Sequence, residues 1–124
     1  MLDHAKLAEE LFLSGCNCAQ AVVYAFSELT GLDRDTSLKL ACSFGGGFGR
    51  MREVCGAFSG ACMVAGLLWG YSDTADKSLK ADHYALIQQM AKKFREANGS
   101  IICRELLSGI ESSTDSNPSD RTAE

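Results

Sequence analysis

The 124 residues suffice for one globular domain with one hydrophobic core and are too few for two ordinary domains. Hydrophobic residues make up 46% of the chain and there is a single proline, which excludes collagen-like, proline-rich and fully disordered classes. The formal net charge of -4, from 16 acidic and 12 basic residues, leaves no general basic surface for phosphates, so we do not expect a nucleic-acid-binding protein.

The chain carries no recognisable targeting or membrane segment. Its first ten residues include three acidic side chains and lack the basic region and apolar stretch of a secretory signal. The longest apolar stretch, residues 57–69, contains serine and glycine and is shorter than the roughly 18 apolar residues of a membrane span. These features predict a cytoplasmic protein that does not insert into membranes. In a reducing compartment its six cysteines are not expected to form structural disulfides.

Apolar residues recur at helical spacing through the first part of the chain. The first predicted helix follows an Asp3 N-cap. The second covers residues 17–30, and Gly31 supplies a left-handed C-terminal stop. The third is short, begins after Asp33 or Asp35, and ends at a run of glycines.

The glycine run separates the third helix from the fourth. Four of the seven residues 44–50 are glycine, which is too costly for a helix interior and predicts a loop. This loop either forms simple turns or gives flexible access to Cys55. The fourth helix covers residues 54–69, and Gly56 and Gly60 allow another helix to approach its backbone closely. We therefore expect the fourth helix to be the central one.

Two further helices complete the pattern. A long fifth helix opens at Asp73 or Thr74 and ends at Gly99. Ser100 caps a last short helix, which brings Cys103 into the body of the domain.

The pattern as a whole predicts an all-α protein. We expect a compact bundle of about five to six helices with a glycine-rich loop before the central helix. Residues 1–110 form the cysteine-rich helical domain, and residues 111–124 have almost no apolar content and are predicted to be a disordered polar tail.

Cys55 is the strongest candidate for a reactive thiol. It falls in the first turn of the fourth helix, where free N–H groups and the positive end of the helix dipole favour a thiolate. Arg50 and Arg52 immediately precede it, so the pKa of Cys55 is predicted to be lowered. Alternatively, Cys55 is a small buried hydrophobic residue, and its exposure decides between the two interpretations.

The other cysteines can supply its partners. Cys62 lies seven residues after Cys55, about 10 Å along the helix, whereas a disulfide needs Cα atoms within about 7 Å. A thiol from another helix, such as Cys16, Cys18 or Cys103, could lie between them and complete a cluster. Soft metals also bind such clusters, although the chain lacks the paired C-x-x-C spacing of a zinc ribbon.

Four sequence segments together resemble a known family. They are GCNCAQAV at 15–22, FGGGFGR at 44–50, CGAFSG at 55–60 and CRELL at 103–107. In this order, over about residues 12–107, the chain resembles a family of small bacterial proteins described as redox-active and named for the pattern C_GCAxxG_C_C. The resemblance implies a redox role based on four characteristic cysteines, and genes of the family often lie near transporter genes.

The resemblance assigns three of these cysteines directly: Cys18, Cys55 and Cys103. The fourth is Cys62 or Cys42, and Cys62 suits the order of the pattern better because Cys42 precedes the glycine run. Cys16 would then be an additional thiol.

Three hypotheses follow. In the first, the protein is a thiol oxidoreductase that needs no cofactor: the Cys55 thiolate attacks a disulfide or oxidant, and Cys18, Cys62 or Cys103 resolves the intermediate. In the second, Cys18, Cys55, Cys62 and Cys103 bind zinc or an iron–sulfur cluster, and the protein handles metal. In the third, the protein is a structural or partner-binding helical module. A homodimer through the fourth or fifth helix is compatible with each hypothesis.

Overall fold

The computed structural model describes residues 3–107 and residue 114, and within them the chain is helical with no strand. Five of the seven described helices have eight or more residues, which confirms the all-α prediction. None of these helices has the length and apolar character needed to cross a membrane. The rest of the predicted polar tail lies outside the described residues. The helices are α1 (His4–Leu13), α2 (Cys18–Ala25), α3 (Ser27–Thr30), α4 (Arg34–Ala41), α5 (Gly56–Trp69), α6 (Lys77–Asn98) and α7 (Cys103–Leu106), with a 3₁₀ turn at Cys42–Phe44.

Side-chain caps begin the first helices where the sequence predicts them. Asp3 accepts a hydrogen bond from a backbone N–H of α1, and Asp33 does the same for α4. Asn17 begins α2 with a capping box: its Oδ1 accepts from the Gln20 N–H at 2.9 Å, and Gln20 Oε1 accepts from the Asn17 N–H at 3.0 Å. These bonds satisfy N–H groups that have no partner within the helix.

The predicted helix over residues 17–30 is interrupted. Phe26 leaves the helical conformation with ψ at 13°, which ends α2 and starts the short α3, and Gly31 closes α3 in the left-handed region as predicted. The interruption accompanies a tertiary contact: the Phe26 ring stacks on His4 of α1 at 4.3 Å, and His4 Nε2 is 2.6 Å from Glu28 Oε1. Local periodicity could not reveal this contact.

The predicted start of the long helix at Asp73 or Thr74 is wrong. Helix α6 begins after Asp76, whose Oδ1 accepts from the N–H groups of Ser78 and Leu79. Asp73 instead forms a turn with Asp76 that precedes the helix. Two nearby aspartates are equally good caps in sequence, so the start was ambiguous by one turn.

Helix α7 also begins later than its predicted Ser100 cap. Its N-cap residue is Ile102, and Cys103 is its first residue. Ser100 remains close to the helix start, because its hydroxyl accepts from the Ile102 N–H at 2.9 Å and donates to Glu105 Oε1 at 2.6 Å. The helix is therefore shorter than predicted, while its position in the domain is as expected.

Helix α2, and not α5 as predicted, occupies the centre. Its residues Ala19, Ala21, Val23 and Ala25 are all buried, and α1, α4 and α5 pack around it. The predicted close approach is present, since a Cβ on Gly60 of α5 would lie 2.9 Å from the Ala19 carbonyl oxygen. Small side chains on α2 admit neighbours on several sides, whereas the end of α5 is left outside, with Leu67 47% and Trp69 65% exposed.

Candidate thiol site

The glycine loop, residues 45–52, is a series of tight turns. Its backbone is bonded to itself, with the Arg50 N–H donating to the Gly45 carbonyl at 3.0 Å and the Gly49 N–H to the Ser43 carbonyl at 2.8 Å. Six of its residues have a positive φ: Gly46, Gly47, Phe48, Gly49, Arg50 and Arg52. The structure therefore agrees with simple turn geometry, the first of the two interpretations of this run. Three of the six residues are glycine, which adopts such angles at little cost, and the other three adopt a conformation that their residue types disfavour.

The chain leaving the loop pairs with the segment before α7. Val54 and Ile102 form an antiparallel bridge, the Cys55 N–H donates to the Ile101 carbonyl at 2.7 Å, and the Cys103 N–H donates to the Glu53 carbonyl at 2.6 Å. Side chains alternate between the two faces of paired extended segments. Cys55 and Cys103 therefore lie on the same face, opposite to Val54 and Ile102.

Two glycines leave the space that two of the cysteines occupy. A Cβ on Gly56 would collide with Cys18 Sγ and lie 2.6 Å from the Phe44 carbonyl oxygen. A Cβ on Gly47 would lie 2.6 Å from the Cβ of Cys103. Cys18 is thus packed against the start of α5, and Cys103 is packed against the glycine loop.

Burial raises the pKa of the Cys55 thiol, and the neighbouring Cys18 and Cys103 add to the increase. The N–H groups of Phe58 and Ala57 act in the opposite direction and are the smaller influence. The predicted lowering of this pKa is therefore wrong. Cys55 does precede α5 as its N-cap residue, but removal of the thiol from water outweighs the helix N-terminus.

These interactions define the thiol site as Cys18, Cys55 and Cys103. All three are half-buried free thiols, and each comes from a different part of the chain. Cys55 is the shared neighbour, because both other thiols act electrostatically on it.

Arg52 lies near Cys55 in sequence, but in the structure its side chain contacts Cys103. Arg52 Nη1 donates to Cys103 Sγ at 3.9 Å. The adjacent Arg104 forms an ion pair with Glu53 at 2.5 Å and donates from Nε to the Arg52 carbonyl at 3.1 Å. The charge of Arg52, one of the two arginines predicted to act on Cys55, is therefore directed at Cys103.

The remaining cysteines lie in other surroundings. Cys62 is half-buried on α5, and burial alone raises the pKa of its thiol. Cys42 is exposed, and its thiol donates to the Lys39 carbonyl at 3.1 Å. Cys16 is half-buried and lines a cleft that also includes Tyr24. Cys62 is thus not among the thiols that shift the pKa of Cys55.

Over residues 3–107 and residue 114, no three His, Cys, Asp or Glu side chains are grouped closely enough to hold a metal ion. The predicted ligand set of Cys18, Cys55, Cys62 and Cys103 is not assembled as such a group there. What the arrangement offers is pairs of thiols around Cys55.

The contact between Arg52 and Cys103 was not predicted from the sequence. It depends on the bridge between residues 54 and 102, whose paired segments are too short for alternating hydrophobicity to reveal them. It also depends on the positive φ of Arg52, which turns this side chain away from the direction an extended chain would give it. The order of residues alone placed both arginines beside Cys55.

The fold and the site define a small helical protein with three neighbouring thiols. The chain belongs to the family described as "Putative redox-active protein (C_GCAxxG_C_C)", whose model matches residues 16–124 and so includes all six cysteines. This match confirms the resemblance found in the sequence. No curated protein and no solved structure matches the chain.

Proposed function

We propose that the protein is a cytoplasmic thiol oxidoreductase in which Cys55 forms a reversible disulfide with Cys103 or Cys18. The observation that carries this proposal is the convergence of two thiols, Cys18 and Cys103 from the starts of α2 and α7, on Cys55 at the start of α5. The redox description of the family supports the same conclusion. A reducing compartment would keep the thiols ready to reduce a partner's disulfide.

The backbone pairing favours Cys103 as the first partner to consider. Cys55 lies opposite Ile101 in the paired segments, so Cys103 is its diagonal neighbour on the same face. Diagonal neighbours have Cα atoms about 7–8 Å apart, close to the longest separation that a disulfide spans. Only a small movement of the two segments would then close the bond.

The reaction consumes one disulfide and two protein thiols. A protein thiolate attacks one sulfur of the partner's disulfide, which forms a mixed disulfide and releases the other sulfur as a thiolate. The second protein thiol loses its proton to solvent and attacks the protein sulfur of the mixed disulfide. The partner leaves with two thiols, and the protein retains one disulfide after a two-electron oxidation.

The raised pKa of Cys55 sets the pH dependence of its reactivity. A thiol with a raised pKa stays protonated to higher pH, and only the thiolate is nucleophilic. We expect alkylation of Cys55 in the folded protein to accelerate with rising pH and to reach half its maximal rate above the pH typical of an unperturbed cysteine, about 8.5. Site-resolved mass spectrometry after timed iodoacetamide labelling measures this rate.

The decisive experiment combines metal content and thiol count on one anaerobically purified, reduced sample of the full chain. After mild oxidation with glutathione disulfide, we expect two thiols to disappear, one disulfide containing Cys55 to appear in peptide maps, and dithiothreitol to restore both thiols. Retention of all six thiols would refute the proposal. Stoichiometric zinc or iron, with thiols hidden until chelation, would refute it in favour of the metal-binding hypothesis.

Two serine variants identify the thiols involved. Cys55→Ser should abolish the internal disulfide, since Cys55 is the neighbour common to both of the other thiols. Cys42→Ser is the matched control, because Cys42 is exposed and bonded to a backbone carbonyl outside the site. A disulfide that persists in Cys55→Ser would exclude the proposed role of Cys55.

A further inference from the structure

Resting on the proposed function, the geometry points to Cys103 as the thiol that attacks the partner's disulfide, with Arg52 as the positioning residue that stabilises its thiolate and Cys55 as the resolving thiol. The roles of Cys55 and Cys103 are then the reverse of those suggested by the sequence.

The first support is the placement of a positive charge. Arg52 Nη1 donates to Cys103 Sγ at 3.9 Å. A guanidinium remains charged at every physiological pH, and a cation beside a cysteine favours the thiolate, which is the nucleophilic form. At Cys55, burial and the two neighbouring thiols instead favour the protonated form and outweigh the opposing N–H groups of Phe58 and Ala57.

The second support is the way in which the chain holds Arg52 in place. Its φ of 63° lies in the left-handed region, which a residue with a side chain seldom adopts. Hydrogen bonds hold this conformation from both sides: the Arg52 N–H donates to the Gly46 carbonyl at 3.2 Å, and the Arg52 carbonyl accepts from the Arg104 N–H at 3.1 Å. The same pairing of segments carries Cys103, so the backbones of Arg52 and Cys103 are held next to each other.

The third support is access. Cys103 lies against Gly47, where a Cβ would approach its own Cβ to 2.6 Å. Gly47 is itself buried, but its loop neighbours Phe48 and Met51 are about half exposed. Cys18 lies on the other side of Cys55, against Gly56 between α2 and α5. In this proposal, a partner's disulfide approaches from these exposed loop residues and meets Cys103 first.

Each step balances with a disulfide as the oxidant. The Cys103 thiolate attacks the partner's disulfide, forms a mixed disulfide and releases one partner thiolate. Cys55 then gives its proton to solvent and attacks Cys103 Sγ, which breaks the mixed disulfide and releases the second partner thiolate. The raised pKa of Cys55 suits this order, because it lowers the thiolate fraction of Cys55 and makes it the weaker nucleophile for the first attack.

The order of attack is tested with 5,5′-dithiobis(2-nitrobenzoate), which releases one coloured thiolate per attack. Cys42→Ser serves as the background, so that the exposed thiol does not contribute. Adding Cys55→Ser should trap the mixed disulfide on Cys103 in peptide maps, with no internal disulfide. Adding Cys103→Ser should slow the first release at pH 7 at least tenfold.

The role of Arg52 is tested by the pH profile of that first release. Arg52→Met keeps an unbranched side chain, and loss of its charge should slow the first release at pH 7 about tenfold, with a smaller loss at higher pH. Arg52→Lys should restore most of the rate. Arg34→Met is the control for net charge, because Arg34 is exposed and pairs with Asp35 away from the site. If Arg52 acts through its charge, the maximal rate at high pH should be the same in wild type and both variants. If its role is purely structural, lysine should not restore the rate in this way.

The outcomes separate this inference from the proposed function. If wild type forms no internal disulfide, both are refuted. If wild type forms one, and the first attack maps to Cys55 or the profile of Arg52→Met equals that of wild type, the proposed function stands and the order of attack, Cys103 before Cys55, is refuted.

Discussion

Helix α2 is much shorter than α6 but buries more of its residues. Helix α2 has eight residues and buries four of them, whereas α6 has 22 residues and buries only Ala91. All of the buried positions on α2 carry alanine or valine, so three other helices can approach its backbone. Length and a regular apolar stripe therefore do not identify the helix on which a small domain is built, and small residues alone do not either, since α5 also carries Gly56 and Gly60.

The difference bears on the thiol site. Cys18 is the first residue of α2, and Cys55 immediately precedes α5, which packs along α2. Helix α6 also contacts the first turn of α5, where the Phe94 and Phe58 rings are 5.6 Å apart, but Ala91 is its one buried residue. Changes on α2 should therefore alter both stability and thiol chemistry, whereas changes on the outer face of α6 should alter neither by much.

The largest effect is expected from filling the space between α2 and α5. In Gly56→Ala the new Cβ would meet Cys18 Sγ and would lie 2.6 Å from the Phe44 carbonyl oxygen. The thiol can rotate away but the carbonyl is part of the backbone, so we expect a loss of about 3 kcal/mol in the free energy of unfolding. Urea denaturation followed by circular dichroism measures it, and Cys18 should become more reactive towards iodoacetamide.

Gly66→Ala is the matched control on the same helix. Gly66 is exposed and nothing lies within 4 Å of the added Cβ, so the same substitution should stabilise the protein by about 0.5–1 kcal/mol through better helix propensity. Equal effects of the two substitutions would show that α2 and α5 are not in close contact at Gly56.

The sequence could predict much of this architecture because its signals were local. Asp3, Asn17 and Gly31 mark helix ends by their own chemistry, and all three act there in the structure. The interruption at Phe26 and the centrality of α2 depend on contacts between distant residues, which periodicity does not encode.

The thiol site was predicted only in part for the same reason: its details depend on contacts between distant residues. Motif spacing identified Cys18, Cys55 and Cys103 as candidates, and these three are the thiols that the fold brings together. The direction of the pKa shift of Cys55 was wrong because it depends on burial, and burial follows from tertiary packing. The target of Arg52 was wrong because it depends on a backbone angle of 63° that its residue type disfavours.

A second comparison removes apolar volume from each helix. Val23 of α2 is fully buried, so Val23→Ala should leave a cavity and cost about 2 kcal/mol. Leu79 of α6 is 44% exposed, and Leu79→Ala removes a larger group yet should cost less than about 0.5 kcal/mol. Thermal and urea unfolding of both variants provides the measurement. A larger loss at Leu79 would mean that α6 is covered in solution by a partner or a second copy of the chain.

A third comparison removes the cap of each helix. Asn17→Ala breaks the capping box of α2 and also the bond from Asn17 Nδ2 to the Cys42 carbonyl at 3.1 Å, so we expect a loss of about 1.5–2 kcal/mol. Asp76→Ala removes two hydrogen bonds to exposed N–H groups of α6 and should cost about 1 kcal/mol. Denaturant midpoints measured at neutral pH compare the two variants. A larger loss of stability in Asp76→Ala than in Asn17→Ala would contradict the prediction that the cap of α2 matters more.

The smallest effect is expected from protonating the cap of α4, which packs on α2 from its solvent side. Hydrogen bonds from the Thr36 side chain and its N–H lower the pKa of Asp33. A lowered pKa means that the stabilisation is complete above the unfolded-state value, about 3.9, and is lost as the pH falls through the folded-state value.

Asp33→Asn keeps an accepting oxygen but does not titrate, so wild type should lose its small advantage over this variant below about pH 4. Because Asp33 is exposed, added salt should shrink the advantage further. A difference in urea midpoint that stays constant between neutral and acidic pH would show that the Asp33 charge contributes nothing to α4, and that the cap acts through its hydrogen bond alone.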